Sequence, residues 1–332
     1  MNFVGIVANP ASGKDIRRLV SHATVVNNNE KASIVRRVLL ALHASGVRRV
    51  EIMPDHFGIG VRALKGLRDR QEVVASASLI DMPITHTLAD SLRAAQYLCD
   101  AGAGCIVVLG GDGTCRVVAK GAGEVPLLPI STGTNNVVPT FVEGTIAGSA
   151  AAHVALRSEA ERQDLCWRHK RLLVQVNGET VDQALVEVAL LTTRFTGARA
   201  VWETGTLRQV FVSRAQPVNI GLSAIVGMVR PVDLAYPGGA FVSTTEDGRK
   251  VMVPIAPGAV VPVGIGEIIK MEPRVSYPVE PLRPATLALD GEREITLNRG
   301  DEATVRLDLD GPWIVDVERA LQWAVASGAF IV

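Results

Sequence analysis

Apolar residues fall into short blocks whose spacing changes once along the chain. Phe3 to Ala8 is Val/Ile-rich and apolar on both faces, as a strand buried in a parallel sheet should be, and it empties into Asn9-Pro10-Ala11-Ser12-Gly13-Lys14-Asp15. From Glu30 to Ala44, Ile34, Val35, Val38, Leu39 and Leu42 recur at helical spacing, with Arg36 and Arg37 turned away and Gly46 suited to a C-terminal cap. Val50–Met53 and Glu72–Ile80 predict a second and a third strand. Leu88–Cys99 predicts a helix with Leu88, Leu92, Ala95 and Leu98 on one face. Cys105–Leu109 and Pro126–Ile130 read as two further strands, Arg116–Gly121 as part of a helix, and Thr145–Arg157 as an alanine-rich helix. This alternation up to about residue 140 argues for an open parallel sheet with helices on both faces and right-handed crossovers.

Beyond about residue 165 the period shortens. Leu172–Val176, the turn pair Asn177-Gly178 and a long strand-like stretch to Leu191 form a strong hairpin signal. Arg208–Val212, Lys250–Ile255 and Ala285–Leu289 predict more strands, the last turning at Asp290-Gly291 into Glu294–Leu297. The expected fold class is α/β plus β: an open parallel, Rossmann-like α/β domain over 1–143, then a mostly antiparallel β-rich domain over 144–312. Residues 313–332 form a C-terminal segment whose helix, Val317–Ala326, is placed to pack back on the first domain.

Composition narrows the functions this architecture can serve. The 332 residues are 48% hydrophobic, enough for two substantial cores. Lys+Arg and Asp+Glu number 34 each and aromatic residues are 4%, so neither non-specific nucleic-acid binding nor a base-stacking platform has support. The four cysteines contain no C-x-x-C pair, and the six histidines show no metal spacing and read as surface or packing residues. No metal site is expected. The first residues have neither a basic leader nor a long apolar core, and no run of about 18 uninterrupted apolar residues exists. A soluble, cytoplasmic protein without membrane or nucleic-acid partners is the expectation.

The chemistry concentrates where strand Cys105–Leu109 runs into Gly110-Gly111-Asp112-Gly113-Thr114. A strand ending in glycines before a helix bares backbone N–H groups at a positive helix terminus, which suits phosphate. Glycine there would supply positive φ or let a phosphate approach the backbone. Asp112 would repel that phosphate unless it meets Mg²⁺ or takes a proton from an attacking hydroxyl. A Gly-Asp-Gly turn with purely local reasons is the bland alternative. A second polar loop, Ser131-Thr132-Gly133-Thr134-Asn135-Asn136, leaves the next strand at the same sheet end and favours ligand binding there. The loop after the first strand is not a Walker A sequence, since Asp15 follows Gly13-Lys14, yet Ser12, Gly13 and Lys14 suit phosphate contact.

With both glycine loops in place the chain resembles the NAD kinase/diacylglycerol kinase superfamily, and within it the ATP–NAD kinase-like acetoin-catabolism protein X family. Asn9-Pro10-Ala11-Ser12-Gly13 is similar to the nucleotide loop of the lipid-kinase side. The resemblance implies an NAD kinase-like pair of domains and transfer of phosphate from ATP, with Mg²⁺, to a hydroxyl of NAD or a related small molecule in the cleft between them. Asp112 would activate that hydroxyl. The nucleotide would be held by Asn9, Ser12, Gly13, Lys14, Gly110, Gly111, Gly113, Thr114, Thr132, Gly133, Thr134, Asn135 and Asn136, and the acceptor by Glu187 and Asp290. In one respect the chain departs: valine, Val186, stands before Glu187 where NAD kinases carry asparagine, and valine makes no side-chain hydrogen bond. A non-catalytic nucleotide sensor therefore stays open. So does a lipid kinase, through Asp290-Gly291-Glu292, although Asp-Gly is equally a hairpin turn. Relatives of this fold imply a homo-oligomer, dimer or tetramer.

Overall fold

The first strand and helix set the pattern for the N-terminal half. A computed structural model of the chain describes residues 3–14, 22–23, 26–192, 204–280 and 285–331. Strand β1 (Val4–Ala8) is buried throughout, and Asn27 caps helix α1 (Asn28–Ala44) by accepting from the Glu30 N–H at 2.9 Å. Then follow β2 (Val50–Ile52), α2 (Ile59–Lys65), α3 (Gln71–Ala75), β3 (Ala77–Leu79) and α4 (Leu88–Asp100). The strand expected over Glu72–Ile80 is thus shorter: its first half is a turn of helix, in which Val73 is buried and Val74 packs at the edge of the core while Gln71, Glu72 and Ala75 stay exposed.

Strand β4 (Cys105–Gly110), helix α5 (Asp112–Gly121), strand β5 (Leu127–Ser131) and helices α6 (Gly144–Ala155) and α7 (Glu159–Asp164) continue the alternation. Alternate residues of β4 feed two cores. Cys105, Val107 and Leu109 pack with Val35, Val38, Ala147 and Ala151, whereas Ile106 and Val108 pack with Leu98 and Val118. Helices therefore cover both faces of the sheet, as its two-sided apolar strands require.

The chain next crosses into β structure: β6 (Cys166–Arg168), β7 (Arg171–Val176), β8 (Glu179–Ala184), β9 (Glu187–Leu191), β10 (Leu207–Val212), α8 (Leu222–Gly227), β11 (Gly239–Ala256), β12 (Ala259–Met271), β13 (Ser276–Pro278), β14 (Ala285–Leu289), β15 (Glu292–Leu297) and β16 (Ala303–Asp308). It ends in β17 (Trp313–Val315) and α9 (Val317–Ala326). Among the described residues the strands form three sheets. The first has the order β3-β2-β1-β4-β5-β17-β6, with β17 parallel to β5 and β6 antiparallel to β17. The second, β12-β11-β10-β9-β14-β15, and the third, β13-β16-β7-β8, are antiparallel. They face each other through a core that includes Leu172, Val174, Val305 and Leu307 on one side and Val188, Leu190, Leu287 and Leu289 on the other. Helix α9 lies against α6, with Ala320 in the core of the first sheet.

Asn177-Gly178 makes the expected tight turn, at φ of 53° and 85°. The single strand expected from there to Leu191 is instead two, β8 and β9, in different sheets. The break has a cause. The carboxylate of Asp290 accepts the N–H groups of Leu185 (3.1 Å), Val186 (2.8 Å) and Glu187 (3.3 Å), and Ser213 Oγ donates to Leu185 O. Three N–H groups turned toward one carboxylate are not offered to a ladder, so the chain bends from one sheet into the other.

Between β6 and β7 two polar residues are fully sequestered. Lys170 Nζ donates to the carbonyls of Asp233 (2.8 Å), Tyr236 (2.8 Å) and Gly238 (2.9 Å), pinning that loop. His169 is 0% exposed, its Nδ1 bonded to Lys170 O, and burial pulls its pKa down to about 4. A depressed pKa of this kind contributes stability that is complete above about 6.5 and is lost as pH falls through about 4, up to roughly 3 kcal/mol. Urea unfolding between pH 7 and 4 should show this slope, and His169→Phe should flatten it.

Candidate functional site

Three loops leave the C-terminal ends of β1, β4 and β5 and lock together. Asn9 Nδ2 donates to Thr114 Oγ1 at 2.8 Å, tying the first loop to the second. Ser12 Oγ and Thr132 Oγ1 share a hydrogen bond of 2.8 Å, tying the first loop to the third. Gly13 has φ of 71°, and a Cβ there would stand 2.6 Å from Thr132 O, so glycine is required on two counts. Gly110, Gly111, Gly113 and Gly133 do not have positive φ; the expected conformational reason does not apply to them. Close packing does for three. A Cβ would lie 2.4 Å from Thr114 Cβ at Gly110, 2.9 Å from Asn136 Oδ1 at Gly111 and 2.6 Å from that oxygen at Gly133.

Beneath the first loop sits a residue the sequence reading passed over. Lys31 is 0% exposed and its Nζ donates to Asn9 O and Ser12 O, each at 2.9 Å. Burial, with the nearby Lys14 charge, pulls its pKa down to about 7. The signal was available: Lys31 falls at the spacing of Val35, Val38 and Leu42, a cation in an apolar stripe. Lys31→Met should leave two buried carbonyls without donors and cost about 1–3 kcal/mol, and hydrogen exchange at Ala11 and Lys14 should accelerate. Lys14 itself is exposed, its Nζ 4.0 Å from the centroid of the Phe57 ring.

Asp112 opens α5 with Gly111 as its N-cap. Its carboxylate is buried and accepts from Val137 N–H (3.1 and 2.9 Å) and Val138 N–H (2.8 Å). It lines a cavity of about 10 Å³ (room for about one water) together with Glu187 and Asp290 from the β sheets and with Asn135 and Gly221. Asn135 Nδ2 reaches Ile255 O at 3.2 Å, and Asn136 Nδ2 turns back to Ser131 Oγ at 2.6 Å. Asp112, Asn135, Glu187 and Asp290 are thus brought to one place. Asn9, Ser12, Gly13, Thr114 and Thr132 form the adjoining cradle, while Lys14 lies over Phe57.

Asp290 is both the turn and a member of the site. It and Gly291 take φ of 48° and 80° in the β14–β15 hairpin, while the carboxylate points inward. Burial raises its pKa to about 6 against the opposing pull of Arg116 and the three N–H groups. Arg116, 2% exposed on α5, also went unnoticed in sequence. Its Nη1 bonds Asp182 at 3.2 Å and its Nε lies 3.6 Å from Asp290, while Lys120 pairs with the same Asp182. One helix therefore carries Asp112 and, one turn on, the cation that holds Asp290. Val186 does not face the cavity: it is fully buried with Leu185 among Val137, Val138 and Val118.

Among the described residues no group of three or more His, Cys, Asp and Glu is arranged to hold a metal ion. Asp112 and Asp290 are satisfied by N–H groups and Arg116, so the acids here do not fit a resident Mg²⁺.

A parallel sheet with helices followed by mostly antiparallel sheets is a fold this chain shares with a solved NADH kinase. The crystal structure of yeast NADH kinase complexed with NADH matches with a TM-score of 0.56 and 13% identity, covering 100% of this chain and 88% of that one. A putative diacylglycerol kinase from Bacillus anthracis aligns at a TM-score of 0.47 and 12% identity, over 95% of this chain and 96% of its own. Residues 4–157 match the ATP-NAD kinase N-terminal domain, and residues 170–310 the acetoin catabolism protein X C-terminal domain. Acetoin catabolism protein X of Cupriavidus necator is 38% identical over 331 residues, 97% of this chain and 92% of that protein. The chain belongs to the acetoin catabolism protein X family. No helix among the described residues is long and apolar enough to cross a membrane.

Proposed function

We propose that the protein is an ATP-dependent kinase that phosphorylates a hydroxyl of NAD(H) or a related small molecule in the cleft between its two domains. The observation that carries this reading is the convergence of three glycine-bearing loops on Asp112, with Glu187 and Asp290 lining the same cavity. The cradle of Asn9, Ser12, Gly13, Thr114 and Thr132 takes the donor phosphates, with Mg²⁺ arriving as part of the nucleotide complex. Asp112 accepts the proton of the attacking hydroxyl as the phosphoryl group passes to it, and positioning supplies most of the rest. NAD(H) heads the acceptors because of the fold shared with yeast NADH kinase, and the family name puts the activity beside acetoin catabolism. Incubating the protein with ATP, Mg²⁺ and NAD or NADH and separating the products by anion exchange tests it. Appearance of NADP or NADPH supports the reading, and its absence removes these acceptors.

One observation favours a second reading, a nucleotide sensor without turnover. The Asp112 carboxylate is already engaged by two backbone N–H groups, as a purely structural aspartate would be. Nucleotides that raise the melting temperature without any phosphorylated product would favour it.

A further inference from the structure

Arg214 is the second residue beyond the end of β10. Its neighbour Ser213 fixes the backbone there, donating its N–H to Val186 O at 2.9 Å and its hydroxyl to Leu185 O. The guanidinium carbon lies 5.9 Å from the centroid of the Trp167 ring on β6. Other cations drawn into this protein have partners: Lys31 has two carbonyls, Lys170 three, and Arg116 two carboxylates. Arg214 has none of these. Its Nε is buried without a hydrogen-bond partner, and it forms no ion pair among the described residues.

The acids whose fields reach it are committed elsewhere. Asp112 holds Val137 and Val138, and Asp233 takes the Ala235 N–H at 2.9 Å and the Gln216 amide at 3.0 Å. Burial lowers the pKa of Arg214, with Asp112 and Asp233 opposing that shift. Arginine stays charged in proteins, so a half-buried guanidinium with no carboxylate or carbonyl partner among the described residues is a fork without its counterpart. Planar forks of this kind take two oxygens of a carboxylate or phosphate at once.

We propose that Arg214, which does not itself line the Asp112 cavity, anchors an oxyanion of a ligand that extends beyond it, a phosphate or carboxylate held by the guanidinium with Trp167 as the apolar wall beside it. The proposal deepens the kinase reading by giving the bound molecule an anionic group beyond the Asp112 cavity. Two sources share this chemistry, the phosphates of the donor and an acidic group on the acceptor.

Calorimetric titration of the full chain with pyrophosphate, with lactate as a small hydroxycarboxylate, and with uncharged adenosine separates them. Wild type should bind at least one of the two anions, and Arg214→Met should weaken that binding about 10- to 100-fold, the range of a charged hydrogen bond. Adenosine binding should not change. Arg214→Lys keeps the charge but loses the fork, and should recover only part of the affinity; it also serves if the methionine variant does not fold. Pyrophosphate dependence assigns the donor phosphates, and lactate dependence the acceptor. Unchanged anion binding in both variants, or no anion binding by wild type, overturns the proposal. Arg214-dependent binding without any turnover would sink the kinase reading and leave this one standing; turnover with binding indifferent to Arg214 would do the reverse.

Discussion

Arg116→Met is expected to destabilise the protein by about 3–5 kcal/mol, among the largest effects of any single substitution here. The guanidinium is buried between Asp182 and Asp290, and Asp290 has no other cation beside it in the described ion pairs. Removing one partner leaves a carboxylate buried with only N–H groups to balance it. Because that carboxylate gathers the N–H groups of Leu185, Val186 and Glu187, the bend between the two antiparallel sheets should loosen as well. Urea midpoints measure the loss. The double variant Arg116→Met, Asp290→Asn should recover part of it by removing the orphaned charge. If the single variant unfolds at the wild-type midpoint, the Arg116 cluster contributes nothing to holding the two halves together.

Asp112→Asn is expected to reduce phosphoryl transfer by about 10²- to 10⁴-fold, the usual contribution of a positioned general base. It should also cost about 1–3 kcal/mol, because an amide presents only one acceptor oxygen to Val137 and Val138 N–H where the carboxylate presents two. The two effects are separable. A rate lost with the urea midpoint little changed marks a chemical role. A midpoint lowered with the rate retained reduces Asp112 to the brace of the Val137–Val138 turn.

The parts of this site that were legible in sequence are those whose residue types have local reasons. Gly110–Thr114 follows a two-sided apolar strand, and Asn177-Gly178 and Asp290-Gly291 take the positive φ that such turn pairs favour. The split of residues 179–191 into two strands was not legible, because its cause, Asp290, lies about a hundred residues away. Nor was the long β11–β12 hairpin: its register shifts where Thr244 and Arg249 both stand opposite Ile265, and the exposed polar residues between them interrupt the alternation. Arg116 and Arg214 carry no signal in the sequence, because only the fold brings Asp182 and Asp290 to the first and Trp167 to the second. The missing asparagine at Val186 weighed heavily in sequence, yet in the structure that side chain seals apolar surface between the two halves and does not line the cavity.

The return of the chain to the first sheet has a practical side. Strands β6 and β17 are neighbours, and His169 N–H donates to Pro312 O at 2.9 Å, so the 142 residues between those two positions begin and end a single hydrogen bond apart. The antiparallel portion is in effect a cassette spliced into an α/β host at one point. A loop of a few residues could bridge that point, but the host left behind would expose Arg116 without Asp182 and Asp290 and the apolar surface that Leu185 and Val186 cover. Exchange of the whole cassette with a relative's, not its deletion, is the operation this junction suits.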